Sequence, residues 1–280
     1  MKTVQPYSFL MSVYKKEEPA ALSLCLDSML KQTFMPEQIV LVKDGSLTQE
    51  LERVIADYCA KNETLFTVVG YPDNMGLAYA LNFGLDACRN ELVARMDSDD
   101  YSMPTRCEKQ ARAFEEDPEL VVTGTNMRYF DNTIDQLSSD VRVYPAEDAQ
   151  IKKALRRYSP FAHPSVMFKK SEVLACGGYD AALRRRQDMD LFSRLIVHNG
   201  KKAMNIQEPL LLFRRDASYY MRNKNKESCN NRIAVQKKIY KRGDCDLADY
   251  LYVWTVMTAS KLMPNRLYSM IYSMLKDKKK

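Results

Sequence analysis

Residues 91–100 read Glu-Leu-Val-Ala-Arg-Met-Asp-Ser-Asp-Asp. A short apolar run bounded by polar residues predicts a buried strand over Glu91–Met96, and it ends on Asp97, Asp99 and Asp100. Working outward, the same grammar recurs. Strands are predicted at Tyr7–Tyr14, Gln38–Val42, Leu65–Val69 and Leu120–Gly124. Helices are predicted at Glu18–Gln32, with apolar residues at 22, 26, 29 and 30, and at Thr48–Ala60, Gly76–Cys88 and Met103–Phe114. Strand–helix alternation of this kind predicts an α/β fold with a parallel, doubly wound sheet. Such sheets bind ligands at the carboxyl ends of their strands. The polar clusters at 12–15, 43–46, 71–76 and 97–100 all follow strands, so they are expected on one rim.

Beyond about Asn126 the alternation ends. Residues 126–160 mix polar turns with one predicted helix at Ala146–Tyr158. Short strands are predicted at Ser165–Phe168 and Leu210–Phe213, and a helix at Asp188–His198. From about Asn223 the chain reads as helical and basic.

Composition narrows the function classes. The 280 residues are 46% hydrophobic and 28% charged, which excludes a disordered tail protein, a collagen-like chain and a disulfide mini-protein. No two of the seven cysteines lie within four residues of each other, so there is no CxxC zinc or redox motif. Reduced thiols and a cytoplasmic location are expected. Two histidines exclude a multi-histidine metal site. Met1–Gln5 lacks a basic stretch followed by an apolar run, so no signal peptide is expected, and no segment approaches the ~20 apolar residues of a membrane span. From Asp216 to Lys280 fourteen Lys/Arg face six Asp/Glu, a balance of +8 against +6 for the whole chain. The basicity therefore belongs to the tail, which suits an anionic surface.

Each polar cluster has two readings. Three carboxylates in Asp97-Ser98-Asp99-Asp100 repel one another unless water screens them or a cation sits among them. Mg²⁺ and Mn²⁺ prefer carboxylate oxygen and are often shared with substrate phosphates; the plainer reading is a solvated turn and helix cap. Lys43-Asp44-Gly45-Ser46 is a ligand-facing turn or an ordinary Asp-Gly turn. Asn74 and Gly76 either cap a helix or admit a ligand close to the backbone, and Asn82 lies two turns further along. Asp188 is either a helix-start acid favoured by the dipole or a general base, a role for which a carboxylate is the best candidate in a chain so poor in histidine. Arg184, Arg185 and Arg186 beside it suit a phosphate clamp. His163, before Pro164, is a buried hydrogen-bonded residue or a ligand contact. Of Arg214 and Arg215, adjacent in an extended segment, one is expected to face the cleft and bind phosphate.

Taken together, these motifs resemble the family 2 glycosyltransferases, inverting enzymes of the GT-A fold. The resemblance covers about residues 7–216 and rests on an ordered set. It runs through Ser12-Val13-Tyr14-Lys15, Val42–Ser46, Asn74–Leu77 with Ala80-Leu81-Asn82, and Arg95–Asp100. His163–Phe168, Gly177–Asp180, Gln187–Phe192 and Arg214 complete it. It implies a Rossmann-like, mostly parallel sheet flanked by helices, with a C-terminal helical extension. The glycosyltransferase domain would span 1–222, its nucleotide-sugar half about 1–125 and its acceptor half about 126–222, with the basic amphipathic extension at 223–280. It implies that Ser12, Tyr14, Asp44, Asn74, Gly76, Asn82, Asp97 and Arg214 bind the nucleotide sugar. Asp97 and Asp99, in the DxD motif, would hold Mn²⁺ or Mg²⁺. Asp188 would be the catalytic base, with His163, Gln187 and Arg186 on the acceptor side. Two positions depart from the family pattern: Lys43 stands where a first acid is common, and Gln187 stands where an acid usually precedes the base. Both departures bear on donor preference.

The implied partners are a nucleotide-diphosphate sugar, UDP-linked by analogy, and a glycan or lipid-linked oligosaccharide acceptor of bacterial capsule, exopolysaccharide or O-antigen synthesis. Aromatic and aliphatic residues beside lysines in the tail (Tyr250–Met257, Leu267–Met274) suit a helix lying on an anionic membrane at the inner face of the plasma membrane, or a helical pair packed on the body. Competing functions are a sugar nucleotidyltransferase, disfavoured because Ser12–Lys16 has no glycine, and a non-catalytic nucleotide-sugar or glycan-binding protein, which would not need Asp188. Nucleic-acid binding is not expected, since carboxylates crowd the predicted cleft.

Overall fold

A computed structural model describes residues 4–131, 133–215 and 226–263. The first half alternates as predicted. Strands β1 (Tyr7–Val13), β2 (Gln38–Asp44), β3 (Phe66–Tyr71) and β4 (Leu92–Arg95) are separated by helices α1 (Pro19–Leu30), α2 (Gln49–Lys61) and α3 (Leu77–Ala87). All four strands are parallel, with β1 between β2 and β4. β1, β2 and β4 are buried on both faces, which is why they read as continuous apolar runs. Helices on the two sides sort the core into two layers, Phe9, Met11, Ile39 and Leu41 in one and Leu10, Val40, Val42 and Val93 in the other. Contact is close where α3 crosses the sheet: a Cβ on Gly84 would come within 2.4 Å of Leu10 and 2.6 Å of Val42.

The second half adds β5 (Tyr101–Ser102), α4 (Arg106–Glu116), β6 (Leu120–Phe130), β7 (Leu137–Arg142), α5 (Asp148–Leu155), β8 (Met167–Lys169), α6 (Lys170–Ala175), α7 (Gln187–Phe192) and β9 (Lys202–Arg214). The sheet has nine strands in the order β3-β2-β1-β4-β8-β6-β9-β5, with β7 on β6. Pairing in this half is mixed: β8 runs antiparallel to β4 and β6, while β9 runs parallel to β6. The chain therefore reverses its winding direction on either side of β1, and β1 and β4 end at that switch point, where open α/β sheets bind ligands.

The second half departs from the sequence expectation in extent. β6 continues six residues past Gly124, and β9 begins at Lys202 rather than Leu210. β9 carries Gln207, Glu208 and Pro209, and the β6–β9 register shifts around Asn126 where Pro209 pairs. A proline without an N–H fits a strand at such an irregularity. The helix predicted over Asp188–His198 is present, but its second half, Ser193–His198, is a π-helix.

Two further helices, α8 (Lys226–Arg242) and α9 (Leu247–Leu262), represent the extension. They pack on the body. Val235, Ile239 and Cys245 form a small core with Met189 of α7. The buried Asp249 receives Nε–H bonds from Arg156 and Arg157, both at 2.5 Å. Arg242 bridges Asp190 at 2.7 Å and Asp244 at 2.9 Å. The far end of the tail, 264–280, including Leu267–Met274, lies outside the described residues. Among the described residues no helix is long and apolar enough to cross a membrane.

Candidate active site

The carboxyl ends of β1, β2, β3 and β4 open into a cleft of about 1000 Å³. Ser12, Tyr14, Asp44, Asn74, Gly76, Asp97, Asp99 and Arg214 all line it. Residues from the four polar clusters thus converge on one rim. Two acids join them that the motif reading passed over, Glu17 and Glu18. The polar cluster predicted from sequence ends at Lys15, and the acids lie just beyond it, before Pro19 opens α1.

Asp44 ends β2 and is 6% exposed. Its carboxylate accepts the Tyr71 hydroxyl at 3.0 Å, the Asn74 amide at 2.9 Å, the Met75 backbone N–H at 2.7 Å and the Gly76 N–H at 3.1 Å. It therefore shapes the β3–α3 loop as well as the cleft wall. Gly45, at φ +85°, passes so close that a Cβ would sit 2.8 Å from the Asn74 nitrogen, which reserves the position for glycine.

The acidic motif occupies the end of β4. Asp97 pairs with Arg95, whose side chain is 1% exposed. Ser98 donates to Glu17. Asp100 accepts the backbone N–H of Arg214 at 2.9 Å, and Arg214 Nε donates to the Asp99 carbonyl at 2.9 Å while its guanidinium lies over Phe130. Arg215, its neighbour, turns instead to Asp131 and Asp140. Burial, reinforced by the charges of Asp97 and Glu17, pushes the Asp99 carboxyl up to about 7. Burial and the charges of Asp99 and Asp97 raise Asp100 well above the carboxylate range. Among the described residues no group of three or more acidic, histidine or cysteine side chains is spaced as a complete metal cage. The donor set nevertheless fits Mg²⁺ or Mn²⁺ of the kind that takes one or two carboxylates and completes its shell with phosphate and water. Asp97 and Asp99 line the same cleft, and the charge of Asp97 opposes ionisation of Asp99, a repulsion that a cation would relieve.

A second cavity of about 620 Å³ adjoins the first, and Leu77 and Asp97 line both. Asp188, Gln187, Arg186 and His163 line this second space. Asp188 is the second residue of α7 and accepts the Ser159 hydroxyl at 3.2 Å. Arg186, just before α7, has φ 64° and ψ 20° and is the one non-glycine residue with positive φ among the described residues. Such a conformation costs ~1–2 kcal/mol, and costs of this kind concentrate at functional positions. His163 is hydrogen-bonded to the Tyr179 hydroxyl at 2.9 Å. Burial, aided by the charge of Arg95, holds its pKa well below the ordinary range, so it is neutral.

Asn82 is not among the residues lining either cavity. Its amide donates to the Tyr179 carbonyl at 2.7 Å and accepts the Tyr179 N–H at 2.8 Å. Both ends are used on backbone, and the side chain ties α3 to the Gly177–Tyr179 loop instead of lining the cleft. Arg232, from α8, also lines the second cavity. No local motif marks it; its signal is a lone arginine between buried helix positions far along the chain.

Residues 8–192 match the model described as Glycosyl transferase family 2. The chain is 30% identical to the amylovoran biosynthesis glycosyltransferase AmsE of Erwinia amylovora over 98% of its length and 99% of the relative's. It is 30% identical to the UDP-Gal:alpha-D-GlcNAc-diphosphoundecaprenol beta-1,3-galactosyltransferase of Escherichia coli, over 95% and 94% of the two chains. Among solved structures it resembles the mannosyltransferase PcManGT of Pyrobaculum calidifontis in complex with GDP-Man and Mn²⁺, with a TM-score of 0.65 at 15% identity, covering 98% of this chain and 81% of that one. At that identity the likeness shows the shared GT-A fold.

Proposed function

The chain belongs to glycosyl transferase family 2, and from that premise we propose that it moves a sugar from a UDP-linked donor to a hydroxyl of a lipid-diphosphate-linked glycan in bacterial surface polysaccharide synthesis. The observation that carries this reading is the meeting of two cavities at Asp97, one lined by Asp99 and the other by Asp188. The Escherichia coli relative, named for a UDP-Gal donor and a diphosphoundecaprenol-linked acceptor, supports the two substrate classes. The Erwinia relative, named for amylovoran biosynthesis, supports the polysaccharide setting.

On this reading residues 1–222 form the catalytic domain and 223–280 the extension. Ser12, Tyr14, Asn74 and Gly76 receive the nucleotide, and Asp44 holds the loop that carries the last two. Asp97 reaches the ribose or the donor sugar, and Arg214 faces the diphosphate. Asp97 and Asp99 would hold Mn²⁺ or Mg²⁺, which when bound offsets charge on the leaving diphosphate; the Mn²⁺ in the PcManGT complex supports a divalent ion. Asp188 accepts the proton of the acceptor hydroxyl. The freed oxygen bonds to the anomeric carbon on the face opposite the diphosphate. The carbon–oxygen bond to the diphosphate breaks, its electron pair leaving with the diphosphate. One displacement inverts the anomeric configuration, and the proton ends on Asp188. Ser159 donates a hydrogen bond to this carboxylate and helps to orient it.

The test is Asp188→Asn in the full chain. Loss of a general base costs about 10²–10⁴-fold in rate, so transfer should fall by that factor while UDP affinity stays as in the native protein. Transfer at the native rate would remove Asp188 from the mechanism. We further place the enzyme in the cytoplasm, peripheral to the inner face of the plasma membrane. The outward face of α9 supports this, with Leu247, Leu251 and Trp254 exposed at helical spacing.

A further inference from the structure

The two cavities have opposite charge. Lys16 and Arg214 face five carboxylates in the first. In the second, Arg142, Arg184, Arg185, Arg186 and Arg232 face only Asp97 and Asp188. A neutral sugar needs no such excess of guanidinium, whereas a phosphate group does. Arg232 is the most informative of the five. It is 6% exposed, and its hydrogen bonds run to neutral acceptors, the Gln236 amide oxygen at 2.8 Å and the Arg157 carbonyl. Burial and the nearby charge of Arg186 pull its pKa down to about 10, with Asp188 opposing the shift. A buried cation beside another cation is costly unless an anion joins them, and Arg186 holds its place there at the expense of a left-handed backbone.

We propose that Arg186 and Arg232, with Arg184 and Arg185 at the rim, bind the diphosphate that links the acceptor sugar to its lipid. This rests on the glycosyltransferase reading above and deepens it in two ways. The C-terminal extension becomes part of the substrate site, because α8 supplies Arg232 and packs through Val235 and Ile239 against Met189 of α7, the helix that carries Asp188. Arg186 and Asp188 stand two residues apart and line the same cavity, and the acceptor on this proposal carries one sugar between the anion and the reacting hydroxyl. The acceptor is then the product of a reaction that transfers a sugar 1-phosphate from a nucleotide sugar onto a lipid phosphate, releasing a nucleoside monophosphate.

The test is calorimetric titration of the full chain with UDP and Mn²⁺ present. The probes are N-acetylglucosamine diphosphate carrying a short alkyl chain, the matching neutral alkyl glycoside, inorganic pyrophosphate, and phosphatidylglycerol vesicles. The alkyl sugar diphosphate should bind about tenfold or more tighter than the glycoside or pyrophosphate. Arg232→Gln and Arg184→Ala should each erase most of that preference while leaving glycoside and UDP affinities unchanged. Should Arg232→Gln fail to fold, lost UDP binding will reveal it, and the exposed Arg184 then carries the comparison. Equal affinity for glycoside and diphosphate, or variants that keep the preference, would overturn the proposal. Pyrophosphate binding as tightly as the sugar diphosphate would overturn it in favour of a free phosphate anion, and vesicle binding lost in the same variants would overturn it in favour of a lipid headgroup. Absence of UDP binding to the native protein would strike the UDP-donor reading, and the same acceptor titrations run without nucleotide would still decide the diphosphate site.

Discussion

Asp99→Asn should make the metal-free protein more stable at pH 8. In the native protein Asp99 titrates at about 7 against a reference of 3.8, because burial and the charges of Asp97 and Glu17 oppose its ionisation. That displacement corresponds to ~4 kcal/mol against the charged form. The sign follows from proton binding. Between pH 4 and pH 7 the native state keeps a proton that the unfolded chain has lost, so stability falls as the pH rises through this window, and the cost is complete above it. Asparagine cannot ionise and escapes that cost. Asp97 and Glu17 share part of the repulsion and some solvent contact remains, so a single substitution should recover about 1–3 kcal/mol at pH 8. The gain should shrink toward pH 5, where the native carboxyl is already protonated. Urea denaturation of both proteins in chelator, at pH 5 and pH 8, measures this directly. A variant no more stable than the native protein at pH 8, or a gap that does not change with pH, would refute the reasoning. The physical content is that this chain tolerates a destabilised carboxylate where a ligand is to be bound.

Two further outcomes follow from the geometry. Arg186→Gly relieves a left-handed residue, which offsets the entropy cost of glycine, so thermal stability should stay within ~1 kcal/mol of native; a loss of more than ~2 kcal/mol by denaturant titration would show that the side chain, not the backbone, is what the fold requires. Replacing Leu251 and Trp254 with serine should weaken co-sedimentation with anionic vesicles without changing stability, since both side chains are exposed; unchanged co-sedimentation would count against the membrane-facing role of α9.

Legibility in the sequence tracked burial. β1, β2 and β4 are buried on both faces and stood out as apolar runs. β7, with the sequence Leu-Ser-Ser-Asp-Val-Arg and an exposed pattern, has no hydrophobic alternation to find. Most of β9 escaped detection because its middle is polar and broken by Pro209. The site divides the same way. Asp97, Asp99 and Asp188 sit at the ends or starts of elements, so their positions follow from the alternation. The double use of Asn82 on Tyr179, and the arrival of Arg232 beside Asp188, depend on packing between segments far apart in the chain, which no local pattern records.

The most direct test of the central claim is thermal melting of the chain with UDP, GDP, dTDP and CMP, each with and without Mn²⁺. A ligand that binds only the native state at a hundredfold excess over its Kd adds about 2.7 kcal/mol, a shift of several degrees in Tm for a chain of this size. Such a shift is expected with UDP only when Mn²⁺ is present, and it should be lost in Asp99→Ala. An equal shift without metal, an undiminished one in Asp99→Ala, or none with any nucleotide would contradict that claim.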